Sequence, residues 1–269
     1  MSLVQAVILG IVQGLTEFLP VSSSGHLVLA NYYLGFSAEG EALELAVDIA
    51  TNTGTFFAVL LFLRRDVWKA LSGFLRGVVS AEARQEDGWR MALLVLLGSV
   101  PTALLAFGLK PYFEALNRPL PVVFALTVTG FILWFTPKPG PKGEVADLSW
   151  TDALIGGIAQ GMAIVPGISR SGTTIATMMW RRASAEVAAR FSFLMYLVAS
   201  LGVALLGIVE VRETGLELGA VIAMTVASFV TGYVALLWLF SLLRKGQFKW
   251  FAPYLWLVAA ITLITLIVP

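Results

Sequence analysis

The single histidine of this chain closes a short phrase, Gly10 to His26 (GIVQGLTEFLPVSSSGH), in which Gln13, Glu17, Ser22, Ser23 and Ser24 interrupt apolar sequence. Gln13 and Glu17 stand four apart, so on a helix they share one face, with Thr16 beside them. A carboxylate in an apolar helix costs about 2.5–3.5 kcal/mol on insertion scales, and its default role is functional: binding a divalent cation or acting as a base. The plainer alternative is a Glu17 that meets water in the turn before Pro20. Ser22, Ser23, Ser24 and Gly25 precede another apolar run, which supplies capping oxygens and free backbone N–H groups at a helix start, a site suited to phosphate. His26 lies three residues after Ser23, within reach on one helical turn, and a histidine pKa near neutrality suits general acid or base work. The residues leave open whether Ser23 or a water attacks phosphorus.

A similar phrase returns from Gly157 to Thr174 (GIAQGMAIVPGISRSGTT), where Gln160-Gly161 echoes Gln13-Gly14 and Pro166-x-x-Ser169 echoes Pro20-x-Ser22. The second copy carries Arg170. The two phrases are expected to meet in space and hold an anionic, phosphorylated lipid head group, contacted by Ser22, Ser24, Ser169, Ser171, Gly172 and Thr174. Ordinary helix capping would explain the serines without a ligand, but it does not explain Arg170, an arginine near mid-membrane that needs an anion. Asp48, Thr51, Asn52 and Thr55 fall at i, i+3, i+4 and i+7, one polar stripe on a helix. We read the stripe as the lining of a cavity, with Asn52 toward the head group, rather than as hydrogen-bonded glue between helices.

The elements that position these residues follow from composition. The chain is 58% hydrophobic and 13% charged, against about 45–50% and about 25% in soluble domains, which indicates a polytopic membrane protein. There is no cysteine, which excludes disulfides, thiolate metal sites and a Cys nucleophile. No Lys or Arg precedes Arg64, so the N-terminus lacks the basic region of a secretory signal and is expected to stay in the fold. Apolar runs divide into six long enough to span the membrane and four short ones, the short ones paired around the two serine-rich phrases. The spacing predicts an all-α inverted repeat: residues 1–136 and 150–269, each a re-entrant helical hairpin followed by three transmembrane helices, joined by a Pro- and Gly-rich linker at 137–149. Irregular backbone at membrane depth then needs a protein-lined or watery cavity.

In this topology both termini face outside. Of the 18 Lys and Arg, Lys110, Arg118 and Arg212 fall on the outer side, Arg170 lies within the second hairpin, and the rest gather inside, as the positive-inside rule asks. Arg64 to Arg90 reads as one large basic loop. The site is expected to open to the outer side, because the polar stripe occupies the outer half of its helix.

These residues resemble the bacterial undecaprenyl pyrophosphate phosphatases of the BacA type, over nearly the whole chain. The family's E/Q-x-x-x-E pattern falls on Gln13 and Glu17 and runs into LPVSSSGH with Ser23 and His26, and its P-G-x-S-R-S-x-x-T pattern falls on Pro166, Gly167, Ser169, Arg170, Ser171 and Thr174. Many members have Glu where this chain has Gln13, which leaves Glu17 as the main acid. The resemblance implies a bacterial plasma (inner) membrane enzyme that removes the terminal phosphate of undecaprenyl pyrophosphate and so recycles the lipid carrier for cell-wall synthesis. It implies a divalent cation, Mg²⁺ or Ca²⁺, at Glu17 and Gln13, and catalytic roles for Glu17, Ser23, His26 and Arg170. The implied partners are the bilayer and a polyprenyl pyrophosphate lipid, with no nucleic acid, and homodimerisation is left open. The rival reading from another class is a lipid-carrier flippase or secondary transporter, which also uses inverted repeats with broken helices.

Overall fold

Runs of Leu, Val, Ala and Phe, punctuated by Pro, Gly and Ser at their ends, fold into helices. A computed structural model describes residues 1–34, 41–114, 116–207 and 217–268. Among them are α1 (Leu3–Phe18), α2 (Ser23–Leu34), α3 (Glu41–Phe62), α4 (Arg64–Val79), α5 (Asp87–Glu114), α6 (Pro119–Trp134), α7 (Trp150–Met162), α8 (Arg170–Trp180), α9 (Ala185–Gly207), α10 (Leu218–Arg244) and α11 (Phe251–Ile267). Local chemistry sets the ends. Ser2 and Ser149 each close a capping box, on Gln5 and on Asp152, at the starts of α1 and α7. Pro119 sits in the first turn of α6, where its missing N–H costs nothing.

Among the described residues, four helical stretches are long and apolar enough to cross a membrane: Asp87–Leu109, Ala185–Gly202, Leu218–Arg244 and Phe248–Ile267. A fifth, Ala46–Phe62, passes together with Arg64–Val79, but the two are bent by 80° at the break between them. The sixth expected span, Pro121 to Phe135, is the 16-residue α6, about 24 Å long at 1.5 Å per residue and short of a ~30 Å hydrocarbon core. The expected basic loop is corrected: Arg64 to Val79 is helix α4, whose apolar residues recur at helical spacing between its charges. Arg212 lies outside the described residues.

The helices pair α1 with α10, α3 with α10, α5 with α7 and with α9, and α6 with α11. Small residues permit the closest of these, as expected where lipid supplies no hydrophobic drive for helix association. A Cβ at Gly14 would run into Thr231 and the backbone of Ser228, so α1 lies directly on α10. Phe18, Phe191, Phe193, Met195 and Leu236 fill the centre.

The linker is fastened rather than loose. Arg90 donates to the Ala146 and Leu148 carbonyls (2.7 and 3.0 Å), and Gly140 N–H donates to Ala183 O (2.9 Å). Asp152, fully buried in the first turn of α7, pairs with Lys142 of the linker and accepts from Arg181 Nε at 2.7 Å. Burial pushes its carboxyl upward, but Lys142, the Ser149 N–H and Arg181 outweigh that and hold it at about 2. A depressed carboxyl contributes stability above its unfolded pKa of 3.8 and loses it as pH falls toward about 2. Asp152→Asn should therefore lower the unfolding free energy in detergent by about 1–2 kcal/mol at neutral pH, discounted for the partly exposed cations. The gap between variant and parent should close between about pH 4 and pH 2, read by melting temperature across pH.

Candidate functional site

The polar phrases form the tips of two hairpins, α1–α2 and α7–α8, and the tips touch. Ser22 adopts a left-handed conformation (φ 71°) that turns the chain from α1 into α2, and Gly167 (φ 96°) does the same before α8. Gly167 is the one place here where a side chain is barred twice, by its φ and by Val122 and Ala125 behind it. The Ser22 hydroxyl accepts from Gly25 N–H (3.3 Å) and, across to the other hairpin, from Gly167 N–H (3.1 Å). In return the Ser171 hydroxyl donates to Leu19 O (3.3 Å). Ser169 caps α8 through Gly172 N–H (3.1 Å), and Thr129 of α6 fixes the same turn by donating to Gly167 O (2.9 Å) and accepting from Ser169 N–H (3.2 Å). The hydroxyls of Ser22, Ser169 and Ser171 thus hold the frame. The N–H groups of Ser23, Ser24, Arg170 and Ser171 make no hydrogen bond among the described residues and lie at the two helix starts.

Between the tips lies Glu17, its side chain only 3% exposed. Oε2 accepts from Ser23 Oγ at 2.5 Å and from Gln13 Nε2 at 3.0 Å, and Oε1 pairs with the Arg170 guanidinium of the other hairpin. Gln13 Nε2 also points to Asn52 Oδ1 (3.4 Å), and its own Oε1 is buried without a partner. The Arg170 guanidinium stands 4.3 Å over the ring of Tyr196 on α9, a cation–π contact, and its side chain keeps 32% of its surface. Tyr196 OH lies 2.9 Å from Thr55 Oγ1.

Gln13, Glu17, Ser23, Asn52 and Arg170 therefore converge. His26 does not join them: its Nδ1 lies 2.8 Å from Ser22 O and its Nε2 2.7 Å from the Tyr254 hydroxyl, with the two rings stacked at 5.7 Å. A carbonyl only accepts, so Nδ1 carries the proton and Nε2 takes Tyr254's O–H. Ser24 is exposed, while Gly172 is buried, and so is Thr174, whose hydroxyl has no partner. The polar stripe is corrected in part. Thr51 and Thr55 are fully buried: the Thr51 hydroxyl bonds within α3, and the Thr55 hydroxyl joins α3 to Tyr196 of α9, so neither lines a cavity. Asn52 reaches the Glu17 cluster through Gln13, and Asp48 is exposed one turn away.

Tyr196, Tyr254 and Thr129 were missed because each lies in an apolar run, where an aromatic or a threonine reads as packing. No group of three or more His, Cys, Asp or Glu stands ready for a metal among the described residues. Two predictions test the frame. Ser22→Ala keeps the left-handed turn and loses both hydrogen bonds, whereas Ser22→Gly loses the bonds but relieves about 1–2 kcal/mol of backbone strain. Ser22→Ala should therefore melt below Ser22→Gly, and both below the parent. A Ser22→Ala variant melting at or above the parent would show that the hydroxyl does not hold the tips.

Comparison with known proteins bears on this geometry. The sequence profile of the family described as bacitracin resistance protein BacA matches residues 6–261. An undecaprenyl-diphosphatase of Acaryochloris marina is 71% identical over 264 residues, covering 98% of each chain. One from Desulforapulum autotrophicum is 40% identical over 276 residues, again 98% of each chain. Undecaprenyl-diphosphatase 1 of Halalkalibacterium halodurans is 39% identical over 269 residues, 97% of this chain and 95% of the other.

Proposed function

The chain belongs to the BacA family, and from that premise we propose that it is an undecaprenyl-diphosphatase, an integral membrane enzyme that hydrolyses undecaprenyl pyrophosphate to undecaprenyl phosphate and inorganic phosphate. The observation that carries the reading is the buried Glu17 carboxylate, bonded at once to Ser23 and to the Arg170 of the opposite hairpin. A hydroxyl 2.5 Å from a carboxylate is a nucleophile beside its base. The free N–H groups at the starts of α2 and α8 and the half-open Arg170 supply the anion site.

The steps follow from these contacts. Glu17 takes the Ser23 proton as Ser23 Oγ attacks the terminal phosphorus; the bond from that phosphorus to the bridging oxygen breaks, and the prenyl phosphate leaves with that oxygen. Arg170 and the helix-start N–H groups carry the charge on the phosphoryl oxygens, where preorganised donors act most strongly. The proton on Glu17 passes to the departing prenyl phosphate, which frees the carboxylate to take a proton from the water that attacks the phosphoserine; the bond from phosphorus to Ser23 Oγ breaks, and Ser23 takes that proton from Glu17 as inorganic phosphate departs. His26 lies outside the Glu17 cluster with Nε2 engaged by the Tyr254 hydroxyl, so a proton exchange between His26 and the substrate requires the bound head group to displace Tyr254 from Nε2.

The donor set fits a divalent cation of the hard, oxygen-seeking kind. Gln13 Oε1 is buried and unpartnered beside the carboxylate, and Mg²⁺ is commonly held by one or two carboxylates, waters and substrate phosphates. Glu17 and Gln13 would hold Mg²⁺ or Ca²⁺, which when bound neutralises pyrophosphate charge.

The inverted-repeat reading draws support from sequence register and pairing alike. Ser2, Gln13-Gly14, Ser22, Ser24 and Gly25 recur at one constant spacing as Ser149, Gln160-Gly161, Ser169, Ser171 and Gly172. The pairing of α1 with α10 is matched by that of α7 with α5, and that of α3 with α10 by α9 with α5. In this reading α6 and the bent α3 complete six spans, and the site opens to the outer side, away from the basic face.

Phosphate release from undecaprenyl pyrophosphate by the purified protein is the direct test. Arg170→Ala and Glu17→Ala should each slow it at least about 100-fold, as loss of one charge-stabilising group does. Arg170→Lys should recover only part, since the ammonium lacks the planar fork, and Gln13→Ala should cost less. Exhaustive chelation should abolish release, and undiminished turnover would remove the metal. Acid quench during turnover should trap phosphate on Ser23, whereas turnover by Ser23→Ala at near-parental rate would assign the attack to water. A cysteine at Asp48, which is exposed where Thr51 is buried, should react with an impermeant thiol reagent from outside the cell and be protected by substrate. Reaction only from the cytoplasmic side would reverse the orientation.

A further inference from the structure

An apolar groove of about 590 Å³ lies between α3 and α10, away from the hairpin tips. Phe57, Leu61 and Val226 on its walls are each about half exposed, so it opens sideways toward lipid. Asn52 and Thr55, on the same helix, turn instead to α1 and α9, so the groove and the Glu17 site occupy different faces of α3. One charged side chain lines the groove, Arg64, ten residues along the chain from Gly54 at its other end. That separation is about 15 Å of helix.

Arg64 is placed at a fixed depth. The chain turns by 80° between α3 and α4, and α4 presents Trp68, Leu71, Leu75 and Val78 outward at spacings of three and four. Such a helix lies in the membrane interface, with its tryptophan at head-group level. It is held there by Arg76, which donates to Glu86 through both terminal nitrogens (3.1 and 2.7 Å), and by Phe74 stacked on Trp89 at 5.5 Å. The Arg64 guanidinium makes one hydrogen bond, from Nη1 to Leu61 O (3.2 Å), and pairs with no carboxylate among the described residues. Arg64, the one charged residue among those lining this lipid-facing apolar groove, complements a molecule with one phosphate charge and a hydrocarbon tail.

We propose that the groove is a phospholipid site. One acyl chain of an anionic phospholipid lies against Phe57, Leu61 and Val226, and its phosphodiester takes hydrogen bonds from Arg64. The occupant differs from the substrate of the hairpin site, because the one guanidinium in the groove lining suits a single negative charge rather than the roughly three of a pyrophosphate ester. Arg64, Arg65, Lys69 and Arg76 share this end of the molecule, which assigns the lipid to the cytoplasmic leaflet.

Native mass spectrometry of the detergent-purified chain, titrated with phosphatidylglycerol, tests this. The parent should retain one lipid per chain. Arg64→Gln should weaken retention roughly tenfold, the loss expected for a charge-assisted hydrogen bond. Val226→Trp, at a lipid-facing position, should fill the groove and abolish the retained adduct. Arg65→Gln, next in sequence but outside the groove, should stay within about twofold of the parent. Unchanged melting temperature without added lipid identifies the folded variants. Equal losses in Arg64→Gln and Arg65→Gln would reduce the effect to diffuse surface charge. Retention untouched by Val226→Trp would overturn the groove, and preferential retention of a polyprenyl phosphate would make it a channel for the substrate's tail.

Discussion

A carboxylate buried in a membrane protein is tolerable only when something compensates its charge, and here that partner comes from the far half of the chain. Glu17 and Arg170 are paired between two hairpin tips, with the acid almost wholly enclosed and the guanidinium about one-third exposed. Removing either member of a buried pair costs about 3–5 kcal/mol because the other is left uncompensated. The pair therefore ties the positions of both tips to one contact. The rest of the site is arranged around it: Tyr196 stacks under Arg170, Thr55 steadies Tyr196, and Gln13 bridges the carboxylate to Asn52.

That contact in turn sets demands on the backbone. For the tips to meet, α1 has to reach deep along α10, and the glycines at positions 10 and 14 remove the Cβ atoms that would hold the two helices apart. At the tips a Cβ on Gly25 would stand 3.0 Å from Gly167 Cα, so neither hairpin could approach as closely with larger residues. The left-handed turn at Ser22 costs about 1–2 kcal/mol for a residue with a side chain, offset by the two N–H groups its hydroxyl satisfies. A serine rather than a glycine is used because the strained turn and the bond between hairpins are made by the same residue.

What was legible in the sequence divides along physical lines. Glu17, Arg170, Ser23 and Gln13 stood out because polar groups in apolar sequence are costly, and the structure brings all four together. The helical class and the paired short helices followed from run lengths. Helix α4 was hidden because its charges read as a loop, although its apolar residues keep helical spacing. Thr51 and Thr55 shared a face with Asn52, but a helical wheel does not say which neighbour covers that face, and α9 covers it with Tyr196. Tyr254 was out of reach for the same reason: its contact with His26 joins residues from opposite ends of the chain.

The two tips also show how a site can be built from two phrases that share part of their sequence. Where the phrases agree, the residues build frame: Ser22 and Ser169 cap their helices in the same way, through Gly25 N–H and Gly172 N–H, and accept the next amide, from His26 and Thr173, on their carbonyls. Where they differ, they carry charge or titrate. At the same register Ser23 faces Arg170, Glu17 faces Ile164 and His26 faces Thr173. Gln160 is the informative exception, since it matches Gln13 but is buried with neither amide atom bonded. Its counterpart finds Glu17 one turn on, whereas Gln160 finds Ile164. An amide buried without partners costs free energy, and Glu17 gives Gln13 Nε2 a partner that Gln160 Nε2 lacks among the described residues. The chemistry therefore requires both tips, one supplying the carboxylate and the hydroxyl and the other the guanidinium, and neither hairpin alone holds a complete set.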